Sequence, residues 1–348
     1  MSALELVLPG DPATRTGGYG YDRRIVAGLR SLGWSVRVHS LAGAYPHPAD
    51  GDRAAAAQCF AALPDGALVL VDGLAYGALP EVAAREARRL RLVALVHHPL
   101  AAETGLAAAA RERLLRAERE ALAAARRVVV TGRGTATALR EYDVAADRIV
   151  VVEPGTDPAR PARGSGRAAP HLLYVATLTP RKAHGTLLEA LAPLAAAPWT
   201  LDCVGSTGRD PACAARVSQQ LHALGLAGRV RLRGELDDAA LEAAWDGADL
   251  YVSAALYEGY GMALAEALAR GLPVVATRVG AAAELVSPEA GRLVPPGDPE
   301  ALRAVLAPLL VDPALRNVSA AGARRAAERL PRWEDACARL AEALGAIA

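Results

Sequence analysis

Short apolar runs, each followed by a stretch of helix length, repeat from one end of the chain to the other. In the first half they are Leu4–Leu8, Val36–Ser40, Ala67–Val71, Leu92–Val96, Arg127–Val130 and Ile149–Val152. In the second half they are Leu172–Ala176, Thr200–Val204, Val230–Leu232, Leu250–Ser253, Val274–Ala276 and Gly291–Val294. Most are continuous rather than alternating, the pattern of parallel strands buried on both faces. Strands alternating with helices in this way predict doubly wound parallel α/β sheets. The alternation restarts after a Pro-, Gly- and Arg-rich stretch between Asp157 and Pro170, which reads as a linker. We expect Rossmann-like domains over 1–158 and 170–331, joined by 159–169 and facing across a cleft, because ligands bind beyond the carboxyl ends of such strands. A final helix from about Trp333, within 332–348, is expected to pack back on the first domain.

Bulk properties remove several function classes. The net charge of +1 over 348 residues argues against a nucleic-acid binder, which needs a basic stripe. The first residues lack the basic and apolar regions of a signal peptide, and no apolar run approaches the roughly 20 residues of a membrane span. Cys59, Cys203, Cys213 and Cys337 have no metal-binding spacing, as in a reducing compartment. A cytoplasmic protein is expected. Of 39 basic residues only one, Lys182, is lysine.

Two stretches of the second half carry chemistry. In Glu258-Gly-Tyr-Gly-Met-Ala-Leu-Ala-Glu266, glycines at a strand-to-helix turn admit a close ligand, and the following helix offers free N–H groups to an anion. Glu258 and Glu266 lie at most about 12 Å apart along a helix, a span suited to a sugar and a ribose joined by a diphosphate. In Tyr174–Glu189, a strand ends near Ala176 and a turn carries Arg181 and Lys182. Both cations suit phosphate oxygens.

The first half is less specific. Thr16-Gly17-Gly18-Tyr-Gly20 opens a helix after the first strand, and such a loop suits phosphate. His97 and His98 close the strand Leu92–Val96, and Glu103 follows in the same loop. Thr131 ends another strand and is a weaker candidate. Asp50-Gly-Asp52 has the form of a metal-binding DxD but sits in a Pro/Ala loop, where we expect a turn. The helix Arg111–Arg127 bears six arginines, offset by Glu112, Glu118 and Glu120. Its apolar face is expected to cover the sheet, so membrane contact is not favoured.

Together these motifs resemble the retaining family 4 glycosyltransferases (glycosyl transferases group 1) of the GT-B fold. Glu258 and Glu266 match the family's E-x7-E element. Ala176–Ala190 matches its GTLxPRK stretch, with Ala176 for the leading Gly. Ala269–Thr277 and Gly291–Asp298 match two further motifs. The resemblance is strongest over about 170–310. It implies transfer of a sugar from a nucleoside-diphosphate sugar to an acceptor hydroxyl of a small molecule, glycan or lipid-linked acceptor, with retention and without a metal or resident cofactor. It further implies that Lys182 and Arg181 bind the diphosphate, that Glu266 binds ribose and that Glu258 lies near the transferred sugar. Backbone N–H groups of Tyr260, Gly261 and Met262 would hold sugar and phosphate, with Gly17 and Gly18 on the donor. Many members have arginine where this chain has Thr177, which places more of the diphosphate charge on Arg181 and Lys182. A histidine near donor and acceptor is implied: His97 by strand register, His98 as the alternative, with Glu103 on the acceptor side. A nucleotide-sugar 2-epimerase and a non-catalytic nucleotide-sugar binding subunit are the other readings of the same motifs.

Overall fold

The structure is a computed structural model and describes residues 2–347. Contacts divide the chain into two compact units, Met1–Gly155 with Pro331–Ala348, and Thr156–Leu330. Each contains one parallel six-stranded sheet.

In the first unit the strands are β1 (Ala3–Pro9), β2 (Ser35–Leu41), β3 (Leu68–Asp72), β4 (Arg91–Val96), β5 (Arg127–Val130) and β6 (Ile149–Val151), in the order β2-β1-β3-β4-β5-β6. In the second they are β7 (His171–Val175), β8 (Thr200–Val204), β9 (Val230–Gly234), β10 (Leu250–Ser253), β11 (Val274–Thr277) and β12 (Gly291–Val294), in the order β12-β11-β10-β7-β8-β9. Every expected apolar run is a strand, to within two residues at either end. The central strands explain why: β3, β10 and β11 are buried at every position, so both faces select apolar residues. The edge strand β9 instead alternates, with exposed Arg231 beside buried Val230. Its Arg231 and Arg233 pair with Asp202 of β8, a carboxylate buried at 2% exposure.

Six helices bear on function: α1 (Gly17–Ser31), α2 (Asp50–Ala61), α3 (Ala108–Ala124), α4 (His184–Leu191), α5 (Met262–Ala269) and α6 (Trp333–Gly345). The chain's last helix, α6, packs within the first unit against α1. A Cβ built on Gly28 of α1 would lie 2.1 Å from Cys337 Sγ of α6, so only glycine admits this approach. Trp333 lies against the Tyr21 ring, with centroids 5.8 Å apart, and under the guanidinium of Arg24.

Four local expectations are corrected. Asp50-Gly-Asp52 is the first turn of α2, not a loop turn: Asp52 accepts a hydrogen bond from the Ala49 N–H at 2.9 Å, as helix-capping carboxylates do. The basic helix ends at Ala124, so Arg126 lies beyond it and Arg127 opens β5. Glu118, counted as a surface charge, is 1% exposed. The 159–169 stretch, expected to be a linker, is fastened to the second unit. Ala162 N–H donates to Arg270 O at 2.9 Å, Gly164 N–H to Asp246 O at 2.9 Å and Ser165 N–H to Asp249 Oδ1 at 3.1 Å. No helix among the described residues is long and apolar enough to cross a membrane.

Candidate functional site

In the second unit the two motif stretches leave adjacent strands, since β7 pairs with β10. Both therefore emerge at the carboxyl end of the sheet, side by side at its centre. After β7 the chain makes a tight turn over Pro180–Lys182, and α4 follows. Tyr174 at the end of β7 fixes this turn, its hydroxyl donating to Lys182 O at 2.6 Å. The Leu256 N–H donates to Arg181 O at 2.7 Å, and the Arg181 guanidinium to Tyr257 O at 3.0 Å. The two loops thus hold each other, and their charged ends meet. Lys182 Nζ is hydrogen-bonded and ion-paired to Glu258 Oε1, and Arg181 Nη1 lies 3.6 Å from Glu258 Oε2.

Glu258 and Glu266 differ in setting. The helix α5 begins only at Met262, so Glu258 stands in the preceding loop and only the later part of the eight-residue spacing is helical. Gly261 caps α5 with φ +106, a left-handed conformation that favours glycine. Tyr260 is buried, and its carbonyl accepts the Ala281 N–H at 3.1 Å. Burial pushes the Glu266 carboxyl up to about 7; Asp157 and Glu242 add to the effect and Arg270 opposes it. Arg270 itself is ion-paired to Glu242 and stacked over Trp245. Thr177 follows β7, and its carbonyl accepts the Thr179 N–H at 2.9 Å.

In the first unit Gly17 and Gly18 are the first two residues of α1, capped by the Thr16 hydroxyl. A side chain on Gly18 would touch the His97 ring, 3.5 Å from Cδ2. His97 follows β4 and meets two acids that the sequence reading did not single out. Its Nε2 lies 3.1 Å from Asp22 Oδ1 of α1 and 3.6 Å from Asp72 Oδ2 at the end of β3. The ligand atoms of these three residues lie within 4.8 Å of one another, a spacing that a cation could also bridge. Asp72 also accepts the Leu74 N–H at 2.9 Å. Burial pushes Asp72 up to about 7, with the Asp22 charge adding and His97 opposing. Burial works to lower the His97 pKa, but the charge and hydrogen bond of Asp22 and the charge of Asp72 raise it on balance. His98 points elsewhere, its Nε2 lying 3.6 Å from Glu103 Oε2. Thr131 is buried at the end of β5.

Asp22 and Asp72 escaped notice because each looks ordinary in sequence. One is the sixth residue of a helix and the other ends an apolar run. A lone acid closing a buried strand was the available signal, and only the β1-β3-β4 strand order brings it beside His97.

Comparison with known proteins agrees over both units. Residues 169–312 match the model of Glycosyl transferases group 1, and residues 67–160 that of Glycosyltransferase Family 4. The chain is 30% identical over 263 residues to an MMP alpha-(1->4)-mannosyltransferase of Mycolicibacterium hassiacum, covering 71% of this chain and 63% of that protein. It is 31% identical over 239 residues to a D-inositol 3-phosphate glycosyltransferase of Xylanimonas cellulosilytica, covering 64% and 57%. The matches thus span less than two thirds of these relatives. Among solved structures, sucrose-phosphate synthase of Thermosynechococcus elongatus superposes with a TM-score of 0.84 at 23% identity, over 100% of this chain and 99% of that one. HepE of Anabaena, solved with UDP and glucose, gives 0.75 at 22% identity over 98% and 99%. With two six-stranded parallel sheets of the GT-B fold and family motifs in both units, the chain belongs to the family 4 glycosyltransferases.

Proposed function

We propose that this protein is a retaining glycosyltransferase that moves a sugar from a nucleoside-diphosphate sugar to an acceptor hydroxyl without a metal ion. The observation that carries this reading is the convergence of Lys182 and Arg181 on Glu258. Two cations fixed side by side at the carboxyl end of the sheet, and both turned toward one carboxylate, are placed to meet an anionic group. As the glycosidic bond breaks, negative charge grows on the leaving diphosphate. Preorganised cations stabilise that charge more in the transition state than in the ground state. They supply what a divalent ion supplies in other transferases, so no metal is needed. A nucleotide-sugar donor is supported by the Anabaena neighbour solved with UDP-glucose.

The remaining roles follow the family pattern. Glu266 accepts hydrogen bonds from ribose hydroxyls, and the N–H groups of Tyr260, Gly261 and Met262 hold sugar and phosphate. Thr177, Gly17 and Gly18 border the donor. His97 stands at the reacting sugar, with His98 and Glu103 toward the acceptor. The protein works in the cytoplasm, where nucleotide sugars are made.

The test is donor binding and turnover in Lys182 variants, after a thermal-shift screen with UDP-, GDP- and ADP-sugars finds the donor that raises the melting temperature. Lys182→Ala should lower kcat by about 100- to 1,000-fold, the scale of losing one preorganised charge partner. Lys182→Arg should recover only part of this. If both variants turn over at the wild-type rate, the assignment is wrong.

A further inference from the structure

We infer that Asp22 and Asp72 are positioning residues for His97: the two carboxylates hold its Nε2 as a proton donor and leave Nδ1 as the ring atom offered to substrate. This rests on the reading above that His97 stands at the reacting sugar.

The contact with Asp22 selects a tautomer. An ionised carboxylate only accepts, so against ionised Asp22, Nε2 at 3.1 Å from Oδ1 is the nitrogen that carries the hydrogen. The second carboxylate, Asp72 at 3.6 Å, faces the same nitrogen. Among the described residues Nδ1 has no hydrogen-bond partner. The ring plane is held as well. Tyr21 packs edge-on against it with centroids 5.2 Å apart, and Gly18 leaves room on its Cδ2 side.

Stability alone does not account for Asp22. It lies within α1 at 1% exposure, and its Oδ2 is buried without a hydrogen-bond partner. A buried, half-satisfied carboxylate destabilises a fold unless a partner charge offsets it. Here that partner is His97. Asp72 differs, because it also caps the short helix Gly73–Tyr76. Burial, with the Asp22 charge adding, makes Asp72 hold its proton more tightly than an ordinary aspartate.

The groups facing the ring can be named element by element. From α1 come Asp22 and the Tyr21 ring, whose hydroxyl is engaged by Val152 O at 3.1 Å and pushed by burial well above its usual pKa. From the end of β3 comes Asp72. In the loop after β4, His98 is turned to Glu103. The charges acting on His97 are those of Asp22 and Asp72. Both raise its proton affinity, so removing either carboxylate lowers its pKa.

The experiment uses the full chain with ¹⁵N-histidine, the His97 signal being assigned by its loss in His97→Gln. In the wild type, His97 should show the Nε2-protonated pattern and titrate above the ordinary histidine value of about 6.5. Asp22→Asn should lower that pKa by about one unit. It should also cut kcat by about 10- to 100-fold, the scale of losing the carboxylate behind a metal-bound histidine, with donor KM unchanged. Asp72→Asn should do the same more weakly, and it serves as the second variant if Asp22→Asn melts below the assay temperature. Wild-type turnover in His97→Gln would remove His97 from the reaction and overturn the underlying reading. An inactive His97→Gln, together with Asp variants that keep the wild-type tautomer, titration and kcat, would overturn the positioning role alone. Loss of activity after dialysis against a chelator, restored by a divalent ion with broadening of the His97 signal, would make the three residues a metal site and overturn it too.

Discussion

The two units build their chemical groups in opposite ways. In the second, Arg181 and Lys182 are sequence neighbours on one turn and Glu258 comes from the next loop, and all three side chains stay partly exposed at 15–20%. In the first, Asp22, Asp72 and His97 come from a helix and two strand ends, and both acids lie under 10% exposure. On the proposed function the cationic group binds a diphosphate, so it has to remain reachable and its charge is balanced by the ligand. A group that sets the protonation of one imidazole has no such need, and burial strengthens the interaction. The same sheet architecture therefore yields a partly exposed cationic group in one unit and, in the other, buried acids behind a histidine that is itself 21% exposed.

The largest test of that division is to break one unit and watch the other. Gly28 lets α1 approach Cys337 of α6. Gly28→Val overpacks this contact and should destabilise the first unit by about 3 kcal/mol. Calorimetry should then show an earlier melting transition for that unit, while nucleotide affinity, which the proposed function places mainly on the second, should stay within about threefold. Loss of nucleotide binding in step with the first transition would show that the two sites are not separable.

How much of each site the sequence revealed follows from the same contrast. The strands were legible because β3, β10 and β11 are buried on both faces and admit little but apolar residues. Lys182 and Glu258, which the structure brings together, stood out in the sequence along with Glu266 because each motif is contiguous and a single lysine is conspicuous in an arginine-rich chain. Asp22 and Asp72 were not, because Asp22 lies seventy-five residues from His97 and only strand order joins them. The 159–169 stretch misled for a related reason. Its composition reads as free chain, but its backbone N–H groups find partners on residues 246–270, far along the sequence.

Acid titration sharpens the contrast at a smaller scale. Glu118 of α3 accepts the Leu100 N–H at 2.8 Å, yet burial pushes it up to about 8 against that bond and Tyr142. Glu266 is pushed up to about 7. Both bind a proton more tightly folded than unfolded, so each stabilising contribution is full below about 4.3, the unfolded glutamate value. Each is lost as pH rises toward the folded value, by about 7 for Glu266 and about 8 for Glu118. The melting temperature should fall across this window. Glu118→Gln and Glu266→Gln mimic the protonated acid, and each should flatten part of the fall. They should part ways in binding: ribose hydroxyls donate to ionised Glu266, so nucleotide affinity should rise between pH 6 and 8 in the wild type and in Glu118→Gln. In Glu266→Gln it should be weaker and flat. An equal effect of both substitutions on nucleotide affinity would erase the distinction between the two acids.

The smallest effect concerns strain in the turn that aims Lys182. Ala183 has φ +46 and ψ 44, a left-handed conformation unfavourable to alanine by about 1–2 kcal/mol. It is held there because α4 must start at His184 while Lys182 turns toward Glu258. Glycine would remove the strain but free the unfolded chain by about 0.5–1 kcal/mol, so Ala183→Gly should stabilise by about 0.5–1 kcal/mol. The first unit offers the control. Asp143 also has positive φ, +57, but aspartate is tolerated in that region and its carboxylate pairs with Arg119 at 3.2 Å. Asp143→Gly should therefore give no gain. If the strain serves to aim Lys182, Ala183→Gly should raise the melting temperature while lowering kcat/KM by about two- to fivefold, through a looser turn. Asp143→Gly should leave turnover unchanged. A stabilised Ala183→Gly with undiminished turnover would mean that the Tyr174 bond to Lys182 O is enough to hold the lysine, and that the strain is incidental.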